Sequence, residues 1–287
     1  YLTGFEHEVC GPRSYGPEVQ ESVVEGLLHI GFQATNFGKA VSLIRAMLDA
    51  RRSIQATAAS WPEDSEDNAP SMRVYMGLTA NLLGTGCRES IRFLVKHCLV
   101  DSLVITGGGP EHDLRRTVTP SCYSVCWRDV LHSTPVREGV TSESSGQFDN
   151  VTYTKHDSAY EGVLTRAVVE LCEQQRAAAA CGRAHDDDPC TWACTPSDFW
   201  RHVGLLLPSV VPLEVAETSV LYWAAKHDVP VFSPSFTDGD VMDVVDRVAS
   251  DRNLLLKIDL VPDIHRLNKS AMSSSKTGMI ILGGGVA

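Results

Sequence analysis

The sequence contains no apolar run of the length that crosses a membrane. Its apolar stretches, such as residues 203–207 and Met279 to Leu282, are short, whereas a spanning helix needs about 20 apolar residues. Hydrophobic residues make up 43% of the 287 residues and charged residues 21%, which is typical of globular proteins and excludes a disordered or fibrous chain. We therefore expect a folded protein that does not cross a membrane.

Basic residues are also scarce. The chain has 25 lysines and arginines against 36 acidic residues, a formal charge of −11. A dedicated DNA-binding protein needs clustered basic side chains to displace counterions, so this balance argues against a DNA partner. Because no signal peptide is recognised and the balance is acidic, we expect a soluble, cytoplasmic protein.

The sequence lacks the motifs that are typical of metal sites, of phosphate-binding loops and of hydrolases. The nine cysteines include two pairs with three-residue spacing, Cys122 with Cys126 and Cys190 with Cys194, but no accompanying histidine pairs. We expect free thiols and no metal site. The chain has no GxxxxGK[ST], no clean GxGxxG and no local Ser/His/Asp signature, so a P-loop is excluded and hydrolase chemistry has no support.

Short apolar strands alternate with helices over most of the chain, which predicts an α/β fold with a doubly wound, Rossmann-like parallel sheet. Two amphipathic helices, broken at 31–36, precede it within 18–51. The expected organisation is one domain over 1–287, comprising a helical segment (1–54), an acidic loop (55–70) and an α/β core (71–287). The predicted strands are 73–78, 102–105, 229–232, 254–258 and 279–282. The predicted helices are 86–97, 111–118, 160–175, one capped by Thr195, 218–226, 241–249 and 261–272. Loops are expected at 131–158 and 176–195.

Four loops follow strands of the predicted sheet and are rich in glycine, at 79–86, 106–113, 233–240 and 283–285. In open parallel sheets ligands bind beyond the carboxyl ends of the strands, where helix N-termini favour anions. Four such loops at one edge favour a nucleotide-sized ligand.

Several charged residues in these loops have two readings. Asp238 and Asp243 flank a helix start, where they would be a cap and a solvated acid, or would hold a ribose hydroxyl or an amine. Glu111 and His112 open a helix behind three glycines and carry the same ambiguity. The residues alone leave these alternatives open.

Four blocks of sequence resemble deoxyhypusine synthase in composition and in order. They are Gly31 to Gly38, Thr79 to Leu82, Val231 to Gly239 and Thr277 to Val286. The resemblance implies a Rossmann-like tetramer with active sites between paired subunits. It implies NAD-dependent transfer of an aminobutyl group from spermidine, through an enzyme lysine, to a lysine of the translation initiation factor 5A precursor.

Carried over by motif, the resemblance implies two sets of binding residues. The residues that would line the NAD site are Ala80, Asn81, Leu82, Leu83, Gly84, Thr106, Gly107, Gly108, Asp238 and Gly284. The residues that would face the amines of spermidine are Glu111, His112 and Asp243.

The sequence departs from the family pattern at three places. His112 replaces the second of two acidic residues, and 139–153 replaces an arginine-rich stretch. The sequence ends at Ala287, before the positions of the family's active-site histidine and nucleophilic lysine, so no catalytic residue is assigned. Two hypotheses follow. The chain is a catalytically degenerate, NAD-binding regulatory subunit that forms a hetero-oligomer, expected to be a tetramer, with a catalytic paralogue. Alternatively, it is an active deoxyhypusine synthase whose C-terminal segment is missing here.

Overall fold

A computed structural model describes residues 27–60, 69–125, 145–155, 157–180 and 193–284. Its contacts divide the chain into two compact units, Tyr1–Met72 with Ser274–Gly278, and Arg73–Ser273 with Met279–Ala287. The single domain expected over 1–287 stays a prediction.

One long helix, α1 (Phe32–Ala59), dominates the first unit and follows a 3-10 turn at Leu27–His29. Gly31 precedes the helix with φ of 97°, a conformation that favours glycine. The helix does not stop at residue 51, and 55–59 belong to it rather than to the predicted acidic loop, because glutamine and alanine are good helix formers. The rest of that loop, 61–68, and most of the first predicted helix lie outside the described residues.

The other elements follow in chain order. The strands are β1 (Met72–Leu78), β2 (Ser102–Ile105), β3 (Tyr123–Val125), β4 (Ser145–Phe148), β5 (Val151–Thr154), β6 (Val231–Phe232) and β7 (Lys276–Leu282). The helices are α2 (Asn81–Gly84), α3 (Cys87–Lys96), α4 (Gly108–Val118), α5 (Ser158–Ala180), α6 (Pro196–Val210), α7 (Leu213–Ala216), α8 (Val220–Lys226), α9 (Val241–Arg252) and α10 (Val261–Met272).

The main sheet has the strand order β6-β2-β1-β7. β2 pairs in parallel with β1, where Tyr75 faces Ser102, and with β6, where Leu103 faces Val231. The last five residues of β1 are all buried, as expected of a strand covered on both faces. Helix α6 packs on β6 and α8, and α3 packs on α8. The predicted α/β fold with a parallel sheet is confirmed.

The predicted strand at 254–258 is wrong. Among the residues that the structure describes, this segment forms a single isolated bridge, between Ile258 and Cys194. Leu254 and Leu256 are buried while Leu255 is 73% exposed, so the side chains alternate as in a strand. The alternation of apolar residues predicts which face each side chain takes. It does not provide a neighbouring strand, and within the described ranges the backbone of this segment pairs with none beyond that bridge.

A second, antiparallel sheet corrects the sequence analysis, which predicts a loop over 131–158 because this stretch is polar. Its strand order is β3-β5-β4. β4 and β5 form a hairpin in which Phe148 faces Val151 across Asp149 and Asn150. Asp149 has a φ of 47°, which aspartate tolerates in two-residue hairpin turns. Residues 126–144 lie outside the described part of the chain.

Helix ends follow local signals with some corrections. Thr195 caps α6, as predicted, and the structure adds that Asp198 completes a capping box with it. Helix α4 begins at Gly108 rather than 111, and α5 runs to Ala180 rather than 175, so 176–180 is not loop. The remaining part of that predicted loop, 181–192, lies outside the described residues.

A fully buried carboxylate fixes helix α4 against its neighbours. Asp113 accepts hydrogen bonds from Arg88 Nε (2.6 Å), from the Ser219 hydroxyl (2.6 Å), and from the backbone N–H groups of Val220 (3.0 Å) and Leu221 (2.9 Å). Both Arg88 and Asp113 are almost inaccessible to solvent. This carboxylate therefore joins α4 to α3 and to the N-terminus of α8.

Within the described ranges, no helix combines the length and hydropathy that a bilayer crossing requires.

Candidate functional site

The structure brings the four glycine-containing loops together at one end of the main sheet. The N–H of Thr79, after β1, donates to the carbonyl of Leu282 at the end of β7 (3.1 Å). The N–H of Gly107, after β2, donates to the carbonyl of Ser235, after β6 (3.3 Å). The carboxyl ends of neighbouring strands thus form a continuous edge, where parallel sheets bind ligands.

Two of these loops approach too closely to admit a side chain. A Cβ atom added at Gly107 would lie 2.7 Å from the carbonyl oxygen of Phe236. Gly283 has a φ of 113°, and a Cβ atom there would lie 2.2 Å from Thr79 Cγ2. Glycine is required at both positions for the loops to pack.

The predicted NAD-site residues divide by exposure. Asn81, Asp238 and Gly284 are exposed, and Ala80, Leu82, Thr106 and Gly108 are half-buried. Leu83, Gly84 and Gly107 are buried. A Cβ atom at Gly84 would meet the Phe148 ring at 2.4 Å, so this glycine packs against the second sheet. The buried members shape the edge, whereas the exposed ones are open to a ligand.

Glu111 caps the helix behind the β6 loop. Its Oε1 accepts from the N–H of Val241 (2.7 Å) and its Oε2 from the N–H of Asp240 (3.0 Å). The side chain is only 3% exposed, and this burial raises its pKa to about 7. Asp238 lies instead in a 3-10 turn, Phe236–Asp238, so the cap that the sequence suggested for Asp238 is supplied by Glu111.

His112 lies in an aromatic cluster formed with the second sheet. Its Nδ1 is 2.5 Å from the Tyr123 hydroxyl, and its ring centroid lies 5.3 Å from that of Phe148 and 5.2 Å from that of Tyr153. Burial and the positive charges of Arg115 and Arg116 lower the pKa of His112 to about 4. The imidazole is therefore neutral at pH 7.

Asp243, the third predicted amine contact, is exposed in the first turn of α9. Its carboxylate is open to solvent, unlike that of Glu111. The three residues expected to face spermidine are thus a buried helix cap, a buried neutral imidazole and one exposed carboxylate.

Arg115, on the same helix as Glu111 and His112, is an unpredicted member of this region. It is 2% exposed, and its Nη2 lies 2.5 Å from Asp240 Oδ2. Its Nη1 donates to the carbonyls of Thr154 (3.1 Å) and Lys155. The guanidinium carbon lies 3.8 Å from the centroid of the Tyr160 ring.

Sequence reasoning also missed the aromatic and acidic residues around Arg115 and His112. One signal for the hairpin was present, namely the Asp149-Asn150 turn between residues of β propensity. No signal places Asp240 against Arg115, because the two are 125 residues apart. The missed residues are Arg115, Tyr123, Phe148, Tyr153, Tyr160 and Asp240.

The cysteines of the described residues have the features of buried or surface thiols. Cys122 and Cys194 are buried, which raises the pKa of the first to about 11 and of the second to about 12. Their spacing partners Cys126 and Cys190 lie outside the described residues. Among the described residues, no group of three or more His, Cys, Asp or Glu side chains is arranged to hold a metal ion.

A cavity of about 390 Å³ lies at the start of β6, away from the glycine loops. Its walls include Trp200, Val229 and Pro230, and its rim carries Arg201 and Arg266. None of the predicted site residues lines it, so we assign it no part in the site.

Glu111 and His112 should change the free energy of unfolding in opposite directions as the pH rises. The folded-state pKa of Glu111 is raised from 4.5 to about 7, so its stabilising contribution is lost as pH rises through that window. The folded-state pKa of His112 is lowered from 6.5 to about 4, so its contribution is lost as pH falls. The two slopes oppose each other between these values.

Because the contributions of Glu111 and His112 cancel, we expect these two groups to leave the free energy of unfolding of the wild type nearly unchanged between about pH 5 and 6.5. The variant His112→Gln should lose on the order of 1 to 2 kcal/mol over the same rise, because the Glu111 slope is then unopposed. Urea unfolding at constant ionic strength measures both profiles. If the free energy of unfolding depended on pH in the same way in both proteins, the opposite titrations of Glu111 and His112 would be contradicted.

The protein is of the α/β class, with a parallel sheet and four glycine-containing loops at the carboxyl ends of its strands. Comparison with known proteins gives the family. The deoxyhypusine synthase family model matches residues 22–287, so the chain belongs to the deoxyhypusine synthase family.

Individual relatives agree with this assignment. The deoxyhypusine synthase of Trypanosoma brucei brucei is 33% identical, over 97% of this chain and 76% of that protein. The Arabidopsis thaliana deoxyhypusine synthase is 33% identical, over 92% of this chain and 67% of that protein. A protein of Entamoeba histolytica, solved as a candidate deoxyhypusine synthase, shares the fold with a TM-score of 0.61 at 23% identity, covering 97% of this chain and 83% of that one.

Proposed function

We propose that this chain is a regulatory, catalytically inactive subunit of a deoxyhypusine synthase complex in the hypusine pathway. The observation that carries the proposal is the state of the two residues behind the glycines of α4. Glu111 uses both oxygens to cap α9, and His112 is buried and neutral. An amine site for a polycation needs accessible carboxylates, and of the three family positions only Asp243 supplies one.

NAD binding is the part of the family function that these residues support. Helix α4 begins directly behind β2, and helix N-termini favour phosphate groups. Asp238 is exposed at the same edge and has the carboxylate that ribose hydroxyls require. Asn81, Thr106 and Gly284 would complete the cofactor contacts. NAD, when bound, supplies the hydride acceptor, and the chain's own residues hold and orient it.

The proposed partners are a catalytic paralogue and, through the complex, spermidine and the factor 5A precursor. Helix α1 supports partnership, because Phe37 is 57% and Ile44 39% exposed, and their spacing of seven residues places them on one face of the helix. Contiguous exposed apolar surface marks interaction sites. We expect a cytoplasmic hetero-oligomer, most simply a tetramer.

The transfer reaction itself tests the proposal. The purified chain, given NAD, spermidine and the factor 5A precursor, should not transfer the aminobutyl group. The same chain should raise the rate of a catalytic paralogue that is assayed beside it. Sustained turnover by this polypeptide alone would overturn the regulatory reading and establish the alternative, an active deoxyhypusine synthase. The exposed Asp243 is the feature that favours this alternative.

Replacing Asp238 by alanine should weaken NAD binding by about 1.5 to 3 kcal/mol, or roughly tenfold or more, the scale of hydrogen bonds to a charged group. Calorimetric titration with NAD, in the presence of the partner, measures the change. Thr237→Ala is the matched control, because Thr237 is the exposed neighbour of Asp238 in the same turn. Equal affinities of the Asp238 variant and the control would remove Asp238 from the cofactor site.

A further inference from the structure

The side chains around Arg115 form a cage of the kind that binds organic cations. The Tyr160 ring lies under the guanidinium at 3.8 Å, and the Tyr153 ring lies at 5.6 Å from it. Asp240 supplies a carboxylate at 2.5 Å. Two backbone carbonyls, of Thr154 and Lys155, accept from the same guanidinium.

Each wall of this cage suits an alkylammonium or guanidinium ion. Aromatic faces attract cations through the ring quadrupole, and the attraction grows when the cation is desolvated. Carboxylate and carbonyl oxygens accept the N–H groups and neutralise the charge. The cage (Tyr153, Thr154, Lys155, Tyr160 and Asp240) therefore has the chemistry of an amine site, and a residue of the chain itself occupies it.

The cage adjoins the residues that the family places at its polyamine. Asp240 Oδ2 binds Arg115, while the N–H of Asp240 donates to Glu111. Tyr153, which faces Arg115, also contacts His112 edge-on at 5.2 Å between centroids. Arg115 lies one turn after Glu111 on α4, so its cation is held directly beside the predicted amine contacts.

We infer that Arg115 is an internal cation that closes this cage to external amines, and so determines that the chain does not bind a polyamine there. The inference deepens the proposed function and rests on it. Under the proposed function this chain does not bind spermidine by itself, and Arg115 is a second reason for this besides His112. The positive charge of Arg115 repels an incoming polycation, and its guanidinium fills the volume that an amine would take.

Truncating the side chain tests this, because it leaves the cage without its cation. Arg115→Ala should unfold at a lower temperature than wild type. Methylguanidinium at about tenfold over its dissociation constant should then raise that temperature by about 2 °C or more. Methylurea, the neutral analogue of similar shape, should have no such effect. Wild type and the control Arg166→Ala, which removes an arginine 44% exposed in an i,i+4 pair, should respond to neither compound.

The same variant should gain spermidine binding in calorimetric titration, where wild type gives none. If Arg115→Ala does not fold, the comparison is made on Arg115→Gln, which keeps a donor for the Thr154 carbonyl. A variant that responds equally to methylguanidinium and methylurea, or to neither, overturns the cage.

The outcomes separate this inference from the proposed function. An Arg115 variant that binds no cation, in a chain that performs no transfer, rejects the cage and leaves the regulatory role intact. A variant rescued by methylguanidinium, in a chain that transfers the aminobutyl group alone, supports the cage and rejects the regulatory role.

Discussion

Replacing Asp113 by alanine is expected to lower the free energy of unfolding by about 3 to 5 kcal/mol, the scale for breaking a buried ion pair. The substitution leaves the Arg88 guanidinium buried at 5% side-chain exposure without its carboxylate. It also removes the acceptor for Ser219 and for two N–H groups at the start of α8. Each buried polar group that is left without a partner destabilises the folded state by its full desolvation penalty.

Urea unfolding of the Asp113 variant beside Asp251→Ala measures this effect. Asp251 is an exposed aspartate near the end of α9, and its replacement should change the free energy of unfolding by less than about 0.5 kcal/mol. The double variant Arg88→Met with Asp113→Ala should recover part of the loss, because no buried charge is then left alone. A loss below about 1 kcal/mol for Asp113→Ala would contradict the anchoring role.

Elements with strong local signals were predicted closely from the sequence. The ends of β2 and α10 and the start of α9 agree with the prediction. Thr195 caps α6 because its hydroxyl, the proline after it and Asp198 act within one turn. Such signals need no knowledge of distant residues.

The errors in the strands have one physical cause, because they occur where pairing between distant segments decides the structure. Residues 254–258 alternate correctly but find only a single bridge. The β3-β5-β4 sheet forms because 123–125 pairs with 151–153 across an intervening stretch of the chain. Single-sequence patterns report which face a side chain takes but not its partner.

The candidate site divides in the same way. The meeting of the glycine loops followed from a general rule for parallel sheets, so it could be predicted. The roles of Glu111 as a cap and of Arg115 as a caged cation depend on Asp240 and Val241, which lie 125 or more residues away. No local spacing encodes those contacts.

Under the proposed function, addition of this chain should raise the turnover of a catalytic paralogue by about a hundredfold. This magnitude follows if the paralogue alone populates its competent conformation about 1% of the time. Moving it from 1:99 to 99:1 requires the chain to bind the competent state by about 5.5 kcal/mol better than the other, which a subunit interface can supply. The exposed apolar side chains of α1 are consistent with such an interface.

The variant Asp243→Ala distinguishes two ways of producing this gain. If the chain acts only by shifting the conformation of its partner, the variant should activate as well as wild type. If the Asp243 carboxylate contributes to a spermidine site shared between subunits, the gain should be lost while the mixed oligomer still forms. Asp246→Ala, an exposed aspartate one turn further along α9, is the matched control.

The most direct measurement mixes the two purified chains and records the mass of the oligomer and the rate of aminobutyl transfer to the factor 5A precursor in the same samples. We expect a mixed oligomer, with the mass of a tetramer, whose rate far exceeds that of the paralogue, while this chain alone has none. Chains that elute separately, or a mixture that stays at the rate of the paralogue, would contradict the regulatory role.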